Sequence, residues 1–198
     1  MTSEPPKFDI AADGWCQQSK RIPSPNFDAR PEGAVAELLI IHNISLPPGQ
    51  FGGTNIADLF TNKLDFDAHA YFDQLRSLKV SAHFLIDRDG ALTQFVSTNN
   101  RAWHAGISSF AGRDRCNDFS IGIELEGTDI ELFTALQYQS LALLTCALQQ
   151  RYPLGAVLGH EHIAPGRKTD PGPCFDWDLY RTLLLRLTQH TKLALHFP

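Results

Sequence analysis

The chain has few cysteines and no long apolar segment. Its four cysteines among 198 residues are Cys16, Cys116, Cys146 and Cys174, which are widely separated and form no CxxC pair. This spacing fits neither a disulfide-rich secreted scaffold nor a zinc site made of cysteines. No apolar run approaches the roughly 18 residues that a membrane span needs. The N-terminus also lacks the basic and then apolar segments of a signal peptide, so we expect a cytoplasmic protein.

Positive charge is not in excess either. There are 17 Lys and Arg residues and 22 Asp and Glu residues, which gives a net charge of −5, so a general nucleic-acid surface is not expected. There is no internal repeat, low-complexity segment or shift in composition that would mark a linker. With 43% hydrophobic and 20% charged residues, the composition is that of a globular protein. We expect one domain over residues 1–198, and nothing indicates an obligate protein partner.

The apolar pattern predicts strands and helices in one chain. Residues 37–43 (ELLIIHN) form a short apolar run typical of a strand buried on both faces. Residues 82–96 alternate around Asp89-Gly90, which predicts a hairpin. Residues 119–127 (FSIGIELEG) also alternate, with Glu124 on the polar face. The remaining patterns predict a strand in 155–160 and helices in 55–64, 68–78, 133–152 and 175–189, the last with Trp177, Tyr180, Leu184 and Leu187 at helical spacing. The sum is an α/β fold, a central mixed β-sheet flanked by helices.

Two histidines stand at the ends of predicted strands. His42 closes one strand, His160 closes another, and Asp170 follows ten residues later in a Pro- and Gly-rich stretch, 159–173, that we expect to be irregular. Two imidazoles and one carboxylate can hold a catalytic zinc with a position open for water, and the net charge of +1 lowers the pKa of that water toward about 7. Spacing alone does not choose between His160 and His162, and the same ligand types also describe a non-haem iron site.

Two charged side chains near these residues have two interpretations each. Lys168 is either a cation that stabilises an oxyanion or a solvated loop lysine beside Arg167. Glu124 is either a carboxylate that takes a proton from water or a strand glutamate that faces solvent, and Glu126 shares its face equally. Each alternative stays open from these residues alone.

Three further side chains are candidates with weaker signals. Tyr71 is able to donate its hydroxyl to the same oxyanion, although an aromatic residue in HAYF more often belongs to the core. Trp103 and His104, in RAWHAG, are able to form an aromatic wall for a sugar or a peptide.

Several long motifs occur together and in a fixed order. They are IIHNISLPPGQFGG, HAYF, VSAHFLIDRDG, RAWHAG, RDRCNDFSIGIELEG and APGRKTDPGPCFDW. In this order they resemble the zinc-dependent N-acetylmuramoyl-L-alanine amidases, and among them the cytosolic members that act on anhydromuramyl peptides. The resemblance covers about residues 14–177. It implies a mixed sheet flanked by helices, as in peptidoglycan recognition proteins, and cleavage of the amide between anhydro-N-acetylmuramic acid and L-alanine of the stem peptide during cell-wall recycling.

The resemblance also assigns roles to residues. It implies Zn²⁺ held by His42, His160 and Asp170, catalysis by Glu124, Lys168 and Tyr71, and binding of an anhydromuramyl-peptide substrate by Asn43, Trp103, His104 and Arg115. The sequence departs from the family at Lys79, where an arginine is expected, so a bidentate contact with a peptide carboxylate is lost there. The alternatives are a non-catalytic module that binds peptidoglycan fragments and an amidase that acts on intact murein.

Overall fold

The computed structural model describes residues 8–188 and 195–198. The strands within these ranges are β1 (Lys20–Arg21), β2 (Phe27–Ala29), β3 (Leu38–Ile44), β4 (Phe84–Ile86), β5 (Leu92–Gln94), β6 (Asn100–Ala102), β7 (Ser109–Phe110), β8 (Arg113–Asp114), β9 (Ser120–Glu126) and β10 (Ala156–Gly159). The α-helices are α1 (Asn55–Phe60), α2 (Ala135–Arg151), α3 (His160–Ile163) and α4 (Trp177–Leu187), and 3₁₀ helices span Ala70–Leu75 and Cys116–Phe119.

Six strands form the main sheet, in the order β1-β5-β4-β9-β3-β10. All neighbouring pairs are parallel except β4 and β5, which pair antiparallel around Asp89-Gly90. The predicted mixed sheet and the predicted hairpin are therefore confirmed. Two small antiparallel pairs, β2 with β6 and β7 with β8, lie outside this sheet.

Helices α2 and α4 cover one face of the sheet. Helix α2 begins with a capping box in which Thr134 and Gln137 exchange hydrogen bonds, which satisfies amide groups that the first helical turn leaves free. Of the four α4 residues predicted at helical spacing, Tyr180 and Leu184 are fully buried and Trp177 is partly buried, whereas Leu187 at the helix end is 36% exposed. The predicted helix end at position 189 lies outside the described residues.

The opposite face carries shorter elements and two smaller apolar clusters. One cluster joins α1 to the 3₁₀ helix at Ala70–Leu75, and the other lies beneath β10 and α3. The parallel strands β3, β9 and β10 end at the same edge of the sheet, next to this face. In α/β proteins a site is usually built at the carboxyl ends of parallel strands. Among the described residues, no helix is long and apolar enough to cross a membrane.

Candidate metal centre

The pairing of three parallel strands brings the candidate residues together. Strand β3 pairs with β9 so that His42 lies directly opposite Glu124, and paired residues of neighbouring strands project from the same face. On the other side of β3, Gly159 of β10 pairs with Ile41. His160 is the next residue and begins α3, so it reaches His42 from the neighbouring strand end.

The three predicted ligands form a close triangle of donor atoms. Nδ1 of His42 lies 3.0 Å from Nδ1 of His160 and 2.9 Å from Oδ2 of Asp170, and the third side, from His160 Nδ1 to Asp170 Oδ2, is 3.0 Å. Nε2 of His160 is 3.0 Å from the carbonyl oxygen of Ala105, to which it donates, so a neutral His160 presents a lone pair at Nδ1. Two nitrogens and one carboxylate oxygen this close fit a cation that takes three protein ligands.

Electrostatics keep His42 and Asp170 in their ligand forms. Burial lowers the pKa of His42 to about 4, although the neighbouring Asp170 carboxylate opposes this shift. Burial by itself would raise the pKa of Asp170, but the imidazoles of His160 and His42 hold it well below its usual range. Near neutral pH the imidazole of His42 is therefore uncharged and the Asp170 carboxylate is ionised, as metal binding requires.

The stretch 159–173 is less irregular than its composition predicted. Residues 160–163 form one helical turn, so His160 and His162 point in different directions and do not share a face as they would in an extended segment. Nδ1 of His162 accepts from the amide of Gly159 at 3.0 Å. A Cβ at Gly159 would lie 2.5 Å from Cδ of Pro171, so the absence of a side chain allows the Asp170 loop to approach β10. Thus His160, not His162, joins the donor triangle.

The Asp170 loop is braced by Asn43. The side-chain amide of Asn43 donates to Oδ1 of Asp129 at 2.7 Å and to the carbonyl oxygen of Pro171 at 3.0 Å. The donating nitrogen of Asn43 is thus used within the protein, and only its amide oxygen is left for the predicted contact with substrate. Nothing in the sequence pointed to Asp129, because its bond to Asn43 spans 86 positions.

Glu124 is buried beside the triangle and does not face solvent. It is 9% exposed, and its Oε2 has no hydrogen-bond partner within the described part of the chain. Burial raises the pKa of Glu124 well above its usual range, Asp170 adds to that rise, and Lys168 opposes it. Glu126 on the same face accepts from the amide of Gly52 at 2.5 Å and so holds a loop. The two glutamates, equivalent in the sequence, therefore differ in the structure.

A cavity of about 640 Å³ contains most of the predicted site. It is lined by the predicted ligands, catalytic residues and several binding residues, namely His42, Asn43, Tyr71, Trp103, His104, Glu124, His160, Lys168 and Asp170. Arg115 is not among the lining residues; it lies in a neighbouring depression of about 540 Å³, and Arg167 lines both. Lys79 is exposed, between the lining residues Leu78 and Val80.

Two side chains, Arg167 and His104, make polar contacts beside the ligands that the sequence analysis missed. The guanidinium of Arg167 donates to the carbonyl oxygens of Ala105 at 2.7 Å and Ile107 at 2.6 Å. Nε2 of His42 lies 3.0 Å from Nδ1 of His104, so this histidine contacts a predicted ligand directly. Neither contact has a sequence signal, because both join segments that are distant in the chain.

The chain is similar in sequence to proteins of one family. Residues 32–173 match the model of the N-acetylmuramoyl-L-alanine amidase family. The chain is 56% identical over 174 residues to the 1,6-anhydro-N-acetylmuramyl-L-alanine amidase AmpD of Citrobacter freundii, which covers 87% of this chain and 93% of the relative. The same enzyme from Escherichia coli K12 is 54% identical over 177 residues, 88% of this chain and 97% of the relative.

Two solved structures of amidases superpose on the chain. A crystal structure of a selenomethionine derivative of AmpD superposes with a TM-score of 0.87 at 55% identity, covering 88% of this chain and 99% of that one. A complex of the Escherichia coli amidase AmiD with anhydro-N-acetylmuramic acid-L-Ala-D-γ-Glu-L-Lys superposes with a TM-score of 0.56 at 30% identity, covering 78% of this chain and 60% of that one.

Proposed function

The chain belongs to the N-acetylmuramoyl-L-alanine amidase family, and on that premise we propose that it hydrolyses the amide bond between 1,6-anhydro-N-acetylmuramic acid and L-alanine of peptidoglycan stem peptides during cell-wall recycling. The names of the AmpD relatives support the anhydro sugar, and the substrate held by AmiD supports the peptide. One observation carries the proposal. The His42–His160–Asp170 triangle lies beside a buried carboxylate, Glu124, whose Oε2 has no partner among the described residues.

The three donor atoms would hold a zinc ion. Two imidazole nitrogens and one carboxylate oxygen suit Zn²⁺ and leave a position free. When bound, zinc would polarise the substrate carbonyl and lower the pKa of a coordinated water. The protein contributes the preset arrangement: His160 is fixed at Nε2 by the Ala105 carbonyl oxygen, and the loop of Asp170 is fixed by Asn43.

Glu124 would act as the general base and then as the general acid. Its raised pKa suits a carboxylate that accepts a proton from the attacking water and passes it to the leaving L-alanine amine. Its pairing opposite His42 keeps the carboxylate on the face where the water would lie. A binding module has no use for a buried carboxylate oxygen that has no partner among the described residues, which costs about 1–3 kcal/mol of stability.

Lys168 and Tyr71 would stabilise the oxyanion that forms at the amide carbon. Both line the cavity, and Lys168 lies close enough to lower the pKa of Glu124 by its charge. A cation placed where negative charge develops stabilises the transition state more than the ground state. Trp103 would contact substrate in the same cavity, and Arg115 would meet the stem peptide where it extends into the neighbouring depression.

The protein would work in the cytoplasm as one domain, without an obligate protein partner. Four free cysteines in the described structure fit a reducing compartment. A substrate in the cytoplasm would be a small soluble fragment, and a cavity of about 640 Å³ is of a size for such a ligand.

The deciding experiment is hydrolysis of anhydromuramyl-tripeptide followed by mass spectrometry. Zinc-loaded protein is expected to release free tripeptide, and a sample treated with chelator is expected to release none. If protein shown to hold zinc releases no tripeptide, anhydromuramyl peptide is not the substrate. The same assay on intact murein would then test the alternative amidase.

A further inference from the structure

We propose that His104 is a positioning residue for the metal site: it holds the ring of His42 by a hydrogen bond at Nε2 and so directs Nδ1 of His42 toward His160 and Asp170. This inference rests on the proposed function, because it concerns the proposed zinc ligands. His104 was expected from the sequence to contact substrate. The structure instead places both of its ring nitrogens against protein groups.

A chain of two hydrogen bonds leads away from the metal centre. Nε2 of His42 lies 3.0 Å from Nδ1 of His104, and Nε2 of His104 lies 3.1 Å from Oγ of Ser120. A neutral imidazole has one N–H and one lone pair. If His42 binds a metal through Nδ1, it carries its proton on Nε2 and donates to Nδ1 of His104. His104 then donates from Nε2 to the Ser120 hydroxyl, so both rings are satisfied without any charge.

The two histidine ligands are supported in parallel ways. His160 donates from Nε2 to the carbonyl oxygen of Ala105, and His42 has His104 at the equivalent nitrogen. A partner at the far nitrogen of a ligating histidine fixes its tautomer and its ring orientation. The ring of His104 also stands edge-on to that of His42, with centroids 5.1 Å apart and an interplanar angle of 85°. Rotation of the His42 ring would break this contact.

Gly122 provides the space that His104 occupies. A Cβ at position 122 would lie 2.4 Å from Cγ of His104 and 2.5 Å from its Nδ1, so any side chain there would displace the ring. Gly122 stands in β9 between Ser120 and Glu124, on the same face. The polar face of one strand therefore supplies the acceptor for His104, the room for its ring and the proposed catalytic carboxylate.

Zinc affinity of the metal-stripped protein, measured by competition with a chromogenic chelator, tests the proposal without any activity assay. Replacing His104 with alanine should weaken zinc binding about 10–100-fold, the usual effect of losing a partner of a metal-bound histidine. His104→Asn places Oδ1 where Nδ1 stood and should restore most of the affinity. His104→Gln is the matched control: it differs from asparagine by one methylene, places its polar atoms nearer Ser120, and should bind as weakly as His104→Ala.

A double-substitution cycle separates positioning from general damage. Gly122→Ala should weaken zinc binding in the wild-type background, where its Cβ meets the His104 ring. It should have little further effect in the His104→Ala background, where that ring is absent. His196→Ala, which removes an exposed histidine far along the chain, should leave zinc affinity unchanged. Thermal unfolding of each metal-free variant checks that it is folded.

The outcomes distinguish the inference from the proposed function. If wild-type protein binds zinc and His104→Ala binds it equally tightly, or if His104→Asn is as weak as His104→Gln, the positioning role is wrong and the proposed function stands. Additive losses for Gly122→Ala and His104→Ala would also overturn it. If the wild-type protein binds no zinc, both the proposed metal chemistry and the positioning role of His104 are wrong.

Discussion

The two faces of the β3–β9 pair share one backbone ladder and differ in how many polar side chains they carry. On the face beneath α2 and α4, here called the apolar face, the two strands place five fully buried apolar side chains, Leu39, Ile41, Ile121, Ile123 and Leu125, and the half-buried Asn43 at the end of β3. On the opposite face, toward the cavity, the same strands place the polar His42, Ser120, Glu124 and Glu126 together with Gly122 and the apolar Leu38, Ile40 and Ile44. The side-chain period of two makes this separation possible in a single strand.

The difference shows how stability and chemistry are divided in this protein. Burying one isoleucine or leucine contributes about 1.5–3 kcal/mol, so the apolar face holds the sheet against its helices. The cavity face contains a carboxylate oxygen of Glu124 without a partner among the described residues and, with His104 packed over this face, two histidines whose pKa values burial lowers. These groups oppose folding, and the apolar face must offset them. Substitutions on the two faces should therefore have separable effects.

The largest expected effect is the loss of the metal itself. Asp170→Ala removes the charged ligand of the proposed site and should reduce bound zinc from about one ion per chain to almost none, measured by metal analysis after dialysis. Asp178→Ala, an exposed position on α4, is the matched control and should keep its zinc. Stoichiometric zinc in Asp170→Ala would show that the ligand set is wrong.

Next in size is the loss of the proposed general base. Glu124→Gln keeps the shape of the side chain and removes its basicity, so kcat should fall about 10²–10⁴-fold while zinc content stays that of the wild type. Glu126→Gln on the same face should lower kcat far less, because Glu126 holds the loop at Gly52. Steady-state rates with anhydromuramyl-tripeptide test both variants. An equal fall of kcat in the two would show that Glu124 has no special role as the general base.

A substitution on the apolar face should lower the stability of the protein and leave zinc binding and catalysis nearly unchanged. Ile123 is fully buried and pairs in register with Phe84 of β4. Ile123→Ala should lower the free energy of unfolding by about 2–5 kcal/mol, measured in urea. Zinc affinity and kcat of the folded fraction should stay near those of the wild type. A large loss of zinc affinity would show that the two faces are coupled.

The smallest expected effect is a change in how the free energy of unfolding depends on pH. Burial, together with the Arg30 guanidinium, lowers the pKa of His83 to about 3. The unfolded chain therefore takes up a proton at this histidine below about pH 6.5 while the folded chain does not, so stability falls as the pH falls. His83→Gln should reduce that slope by up to about 1.4 kcal/mol per pH unit between about pH 6 and pH 4.

Urea unfolding of the metal-free protein at several pH values measures this slope. His196→Gln, at an exposed histidine, should leave it unchanged. An unaltered slope in His83→Gln would mean that His83 is already protonated in the folded protein across this range.

The sequence predicted strands β3, β4, β5, β9 and β10 and most of the helices because their signals are local, and it did not predict the short strands β1, β2, β6, β7 and β8. Alternation in 119–127 and the Asp-Gly turn at 89–90 depend only on near neighbours in the chain. The errors were local as well. The Pro- and Gly-rich stretch hid the single helical turn of α3, since one turn is too short to leave a periodic pattern.

The residue types of the site were also visible in the sequence. Histidines at strand ends and an aspartate ten residues later suggested a metal, and the family motifs named the set. Spacing could not choose His160 over His162, or Glu124 over Glu126. That choice depends on the turn that begins at His160 and on the hydrogen bond from Gly52 to Glu126.

The sequence by itself determined an α/β chain that carries two histidines, an aspartate and a glutamate near strand ends. Only the tertiary structure decided that β9 lies beside β3 in the register that sets Glu124 opposite His42, that Asn43 braces the Asp170 loop, and that His104 fits over Gly122 against His42. The physical reason is distance along the chain. Strand register and side-chain contacts across 60 to 130 positions are selected by the packing of the whole core, which no local pattern encodes.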